Sequence, residues 1–159
     1  MAKPSTKRVT VGLISDTHGL LRPEAAAALR GVERIIHAGD IGGADILEAL
    51  AKIAPVDAVR GNNDEGPWAA RLPVELTLDI AGVAVHVLHD LKELEGDPAA
   101  AGFRVVIAGH SHKPRVNEKN GVLYVNPGSA GPRRFKLPVA VAYLQVASGA
   151  ATARIHEIL

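Results

Sequence analysis

Between Val9 and Arg60, three short aliphatic runs alternate with two helical segments, an order that restricts this part of the chain to parallel strand pairing with right-handed crossovers. Val9 to Ser15 reads as a buried strand, Glu33 to Ala38 as a second and Val56 to Arg60 as a third. Arg22 to Arg30 reads as a helix with Pro23 in its first turn, where the missing N–H does no harm. Ala44 to Ile53 reads as another helix, with Ile46, Leu47 and Leu50 spaced for one face. Aromatic residues make up only 3% of the 159 positions against 47% hydrophobic residues, so the core is built from branched aliphatics, as in buried parallel strands.

The second half changes character. Val74 to Ile80 and Val83 to Leu88 flank Ala81-Gly82 as a hairpin, and Val116 to Glu118 and Val122 to Val125 flank Asn120-Gly121, a strong two-residue turn signal. A short helix is expected around Asp97 to Ala101, leading to a strand from Phe103 to Ala108. Pro138 to Ala147 and Ala151 to Ile158 form a last antiparallel pair around Ser148-Gly149. The expectation is a single mixed α/β domain over residues 1–159, parallel early and antiparallel late, with 1–8 as a flexible basic tail.

Metal-ligand residues fall at the carboxyl ends of five of these strands. Asp16-Thr17-His18 follows the first, Gly39-Asp40 the second and Gly61-Asn62-Asn63-Asp64 the third. His89 ends the strand after the first hairpin, and Gly109-His110-Ser111-His112 follows the Phe103 strand. In open α/β sheets that edge is where ligands bind. Singly, Asp16 or Asp40 reads equally well as a cap or turn residue, but five coincident strand ends do not. Asp16 and His18, like His110 and His112, are two apart, so in extended backbone each pair points to one side. With oxygen and nitrogen donors and no cysteine, the set suits Mn²⁺, Fe, Zn²⁺, Ni²⁺ or Co²⁺.

This series of motifs resembles the calcineurin-like metallophosphoesterase superfamily, from about residue 9 to 135 and in family order. The short length and Asn126-Pro-Gly-Ser129 are similar to its small prokaryotic phosphodiesterase branch. The resemblance implies a four-layer α-β-β-α sandwich of two mixed sheets. It also implies two divalent ions per chain, Mn²⁺ foremost and Ni²⁺, Fe, Zn²⁺, Co²⁺ or Mg²⁺ as alternatives. Asp40 would bridge them; Asp16, His18 and His112 would complete one set of ligands, and Asn62, His89 and His110 the other. The implied reaction is in-line attack on phosphorus by a water held between the ions, on a small phosphate ester, with phosphate as a product.

Asp40 and His110 then belong to the reacting centre, while Asp64 orients the Asn62 loop by hydrogen bonding. Two positions depart from the family pattern. Asn63 stands where many relatives carry a His that protonates the leaving group, and an amide donates a hydrogen bond without acting as an acid. Asp90 stands where a glycine commonly follows the strand-end His.

His37, His86 and His156 read as structural or exposed, and His37 lies close enough to Asp40 to support it. Arg133, Arg134 and Lys136 read as a solvated face, and Trp68 suits either the core or a cleft rim. A net charge of +1 and few aromatic residues argue against polynucleotide binding. The first apolar run is too short for a secretory signal, and no segment approaches the ~20 apolar residues of a membrane span, so a cytoplasmic protein is expected. A phosphomonoesterase or nucleotidase is the rival enzyme, and a catalytically inactive protein-binding scaffold, as in retromer, the rival of another class. The resemblance also implies a homodimer or homotetramer through a late edge strand.

Overall fold

Residues 8–134 and 136–159 are described by a computed structural model, so the expected tail lies outside the described residues except for Arg8. The early alternation forms as read: β1 (Val9–Ile14), α1 (Pro23–Ala28), β2 (Arg34–His37), α2 (Ala44–Ala51) and β3 (Val56–Ala58). β1 pairs β2 and β2 pairs β3, both parallel. A further turn of helix, α3 (Pro67–Ala70), follows. Then come β4 (Glu75–Ile80), β5 (Val83–Leu88), β6 (Val105–Ile107), β7 (Arg115–Lys119), β8 (Val122–Asn126), β9 (Ala140–Ala147) and β10 (Ala150–Glu157).

Among the described residues these strands make two five-stranded mixed sheets, ordered β10-β9-β1-β2-β3 and β4-β5-β6-β8-β7. The hairpins close on two-residue turns whose central residues both have positive φ, at Ala81-Gly82, Asn120-Gly121 and Ser148-Gly149. That geometry matches the twist of the strands it joins.

The expectation of an antiparallel second half needs correction. β5, β6 and β8 pair in parallel at the centre of the second sheet, and only its edges are antiparallel. The last hairpin does not extend that sheet; β9 instead pairs antiparallel with β1 and closes the first.

Val9, Val11 and Leu13 of β1 meet Val83, Val85 and Val87 of β5 in the core between the sheets. The outer face of the first sheet packs on α1 and α2 through Leu29, Ile46 and Leu50, and Trp68 joins that cluster at the core rather than at a cleft rim. The outer face of the second sheet is covered more thinly. A 3₁₀ turn at Leu91–Glu93 lies there, and Leu88, Val106, Ala108 and Val122 form a small cluster with Leu94 and Tyr124. The helix expected at Asp97 to Ala101 is a single turn, in which Ala101 N–H donates to the Asp97 carbonyl. Gly102, at φ +86°, ends it before a second turn can form.

Candidate metal centre

The carboxyl ends of β1, β2 and β3 and those of β5 and β6 meet at one edge of the sandwich. Backbone pairing continues past the strands there: Asp16 N–H donates to the Gly39 carbonyl, His18 N–H to that of Asp40, and Gly109 N–H to that of His89. Each neighbouring pair of loops is therefore held in register where the polar side chains emerge. The loops of the two sheets also touch, because His110 N–H donates to Asp16 Oδ2 at 3.1 Å.

All seven residues anticipated as ligands lie at this junction. Asp16 Oδ1 is 3.4 Å from His112 Nε2, 3.8 Å from His18 Nε2 and 3.9 Å from His89 Nε2. Asp40 Oδ2 sits between the two halves, 3.7 Å from His18 Nε2 and 3.2 Å from His89 Nε2. His110 Nδ1 is 3.2 Å from Asn62 Oδ1 and 3.3 Å from His89 Nε2. Two donor triads follow, Asp16-His18-His112 and Asp16-Asp40-His89, each with its ligand atoms within 4.8 Å of one another. By these distances Asp16 belongs to both triads, while Asp40 faces a histidine of each.

Convergence is not reached by the route that spacing implied. Asp16, His18, Asp40, His110 and His112 all have positive φ, between 47° and 72°. The paired residues are thus brought together by curled loops and not by an extended pleat.

Neighbouring groups fix the orientation of the ligands. His89 Nδ1–H donates to the Ala38 carbonyl at 2.7 Å, which leaves Nε2 facing the carboxylates. Ser15 Oγ–H donates to Asp16 Oδ2 at 2.7 Å. Asn63 spends both its backbone N–H and its side-chain amide on Asp40, at 2.9 and 3.0 Å, rather than presenting the amide to an incoming ester. Asp64 accepts from the N–H groups of Ile41, Gly42 and Gly61, tying the β2 loop to the β3 loop.

Asn126 donates to the Gly109 carbonyl, and Ser129 Oγ–H to that of Asp16, so the Asn126–Ser129 segment braces both ligand loops. Asp90 Oδ2 lies 3.7 Å from His110 Nε2. Sequence reading passed over the supporting roles of Ser15 and Thr17, because single hydroxyls beside an aspartate carry no pattern of their own.

Electrostatics follow this geometry. Burial disfavours the charged form of Asp40, yet hydrogen bonds from His89 and Asn63 prevail and hold its carboxyl below the usual range. Burial would lower His89, but its contacts with Asp40, the Ala38 carbonyl and Asp16 raise it instead. His37, fully buried, is pushed down to about 4 by desolvation, which the negative charges of Asp16 and Asp64 only partly oppose. Gly39 N–H donates to its Nδ1, so Nε2 carries the proton and donates to Thr17 Oγ1 at 3.0 Å. The other histidines stand apart: His86 lies between Thr77 and Glu75 and stacks on Phe103, and His156 is exposed.

Among the described residues, Asp16 Oδ1, His18 Nε2 and His112 Nδ1 are buried without a hydrogen-bond partner. An unpaired carboxylate oxygen ringed by imidazole nitrogens is costly in a dry site, and a divalent cation would satisfy it. The donor set therefore fits hard or borderline metal ions.

Comparison with known proteins agrees with this chemistry. Residues 9–149 match the calcineurin-like phosphoesterase superfamily domain. A probable metallophosphoesterase of Methanothermobacter thermautotrophicus is 37% identical over 140 residues, covering 80% of this chain and 81% of the relative. A phosphodiesterase of Methanocaldococcus jannaschii is 28% identical, covering 74% and 82%. Among solved structures, an archaeal phosphodiesterase superposes with a TM-score of 0.78 at 22% identity, over 93% of this chain and 100% of its own. Vacuolar Protein Sorting 29 from Cryptosporidium parvum gives 0.76 at 20%, over 94% and 97%. With the family domain matched over most of its length and its donor residues gathered at one edge, the chain belongs to the calcineurin-like phosphoesterase superfamily.

Proposed function

We propose that the chain is a dinuclear-metal phosphodiesterase. Asp16, His18 and His112 would hold one ion and Asn62, His89 and His110 the other, with Asp40 between them. The observation that carries this reading is the buried, partnerless Asp16 Oδ1, surrounded by three imidazoles within 3.9 Å. Two divalent ions, when bound, lower the pKa of a shared water and offset the charge on phosphoryl oxygens.

The chain's own groups prepare that arrangement. The Ala38 carbonyl fixes the His89 ring, Asn63 holds the Asp40 carboxylate, and Asp64 ties the Asp40 and Asn62 loops together. With the Asn63 amide engaged on Asp40, no acid stands at that position to protonate a departing alkoxide. Esters of acidic alcohols should therefore react best.

The test is hydrolysis of bis-(4-nitrophenyl) phosphate and 4-nitrophenyl phosphate by Mn²⁺-supplemented enzyme, beside Asp40→Asn. The diester should be favoured, and the variant should lose more than the ~100-fold that outer partners of a metal ligand cost at most. Wild-type turnover by the variant would remove Asp40 from the centre, and a faster monoester reaction would make the enzyme a monoesterase. The structural neighbours named Vacuolar Protein Sorting 29 give a second reading, a binding scaffold. Purified protein holding under about half an ion per chain, inactive after Mn²⁺ addition, would favour that scaffold.

A further inference from the structure

A cleft of about 550 Å³ opens beside His110 and runs down the outer face of the second sheet. That is the size of sites that hold small ligands. It exists because this face lacks a packed helix. Its floor is a cross-strand row in which Val106 pairs Tyr124 and Tyr124 pairs Asn117, followed by Ala108. Its rim carries Lys92, Lys113 and Arg115, all exposed. Among the described residues, no carboxylate forms an ion pair with any of the three. Asp90, which also lines the cleft, lies at its upper end against His110. An apolar floor with a tyrosine, a cationic rim and direct continuity with a proposed ligand are three features of one concavity.

We propose that this cleft seats one ester arm of the substrate, and that the arm is a flat, largely apolar group carrying an additional anionic charge. This rests on the phosphodiesterase reading. Phosphorus at the junction of the strand ends leaves two arms to be placed, and the one passing His110 enters the cleft. Its flat portion lies on Val106 and Tyr124, while its charge reaches Lys113 and Arg115. A second negative charge separates this class from simple alkyl or phenyl diesters, for which the three cations would have no use.

Three 4-nitrophenyl diesters test it, with methyl, phenyl and 4-carboxyphenyl as the second arm, both released alcohols being followed. The expected order of kcat/KM is 4-carboxyphenyl, phenyl, methyl. The carboxylate should add roughly fivefold at low ionic strength and lose its advantage as salt rises, as partly exposed ion pairs do. Lys113→Glu with Arg115→Glu should invert the preference of carboxyphenyl over phenyl. Equal rates for these two arms, or an unchanged preference in the double variant, would overturn the proposal while leaving diesterase activity standing. If no diester is hydrolysed, the phosphodiesterase reading fails and the cleft is judged by binding. In metal-free protein, 4-carboxyphenyl phosphate should shift the amide resonances of Lys113, Arg115 and Tyr124, and an unperturbed spectrum would overturn the proposal.

Discussion

Left-handed backbone at Asp16, His18, Asp40, His110 and His112 is a cost the fold carries at the junction. Each such residue stores ~1–3 kcal/mol and persists only where its surroundings over-determine it. His37 is one of those constraints, since it fixes Thr17, whose hydroxyl donates in turn to the Ile41 carbonyl. Burial keeps its folded pKa near 4, while an unfolded histidine titrates near 6.5. Below ~6.5 the unfolded chain binds a proton that the folded chain refuses until about 4. The His37 contribution to stability must therefore fall as pH drops through this window, by about 3 kcal/mol in all, while His89, whose pKa is raised on folding, works in the opposite direction. Urea midpoints of metal-free protein in chelator, from pH 7.5 to 4.5, should show the decline. His37→Gln, less stable at neutrality, should flatten it. A variant that keeps the wild-type slope would place the acid sensitivity elsewhere.

At the level of strands and loops, the ligand loops lie closer together than most side chains allow. A Cβ on Gly109 would overlap Ser15 Oγ and come within 2.7 Å of Asp16 Oδ2, so the β6 loop packs directly on the β1 loop. Gly109→Ala should push these loops apart while leaving the sheets formed. Far-UV circular dichroism should stay native while Mn²⁺ affinity falls by at least ~10-fold, the lower end for disturbing a ligand's support. Wild-type affinity would mean that Asp16 tolerates the shift. This contact with Ser15 and Asp16 was not legible in the sequence, where Gly109 stands out only as the residue between the Phe103 strand and His110. What was legible was local: strand ends bearing Asp and His, and turn dipeptides such as Asn120-Gly121. Pairing partners were not, because the placement of β6 between β5 and β8 depends on contacts between distant segments that no local pattern encodes. Asp97 to Ala101 failed for a related reason, its helical composition being cut short by Gly102.

For the whole molecule, the donors divide between the two halves of the sandwich. Asp16, His18, Asp40 and Asn62 follow strands of the first sheet, and His89, His110 and His112 follow strands of the second. Among the described residues, direct hydrogen bonds from the ligand loops of one sheet to those of the other are few, chiefly His110 N–H to Asp16, His89 Nδ1–H to the Ala38 carbonyl and His110 Nδ1 with Asn62 Oδ1. Ions bound at this edge would staple one sheet to the other and satisfy the partnerless Asp16 Oδ1 and His18 Nε2. Because an unfolded chain cannot assemble donors spread from Asp16 to His112, binding free energy becomes folding free energy. Mn²⁺ at 100 times its dissociation constant should add ~2.7 kcal/mol, which for a chain of this size raises Tm by roughly 5–10 °C. Asp16→Asn weakens both triads that share its carboxylate, so its Tm should respond little to the same Mn²⁺ concentration. A chain whose Tm ignores Mn²⁺, or a variant that responds as fully as wild type, would mean that the two sheets are not joined through these donors.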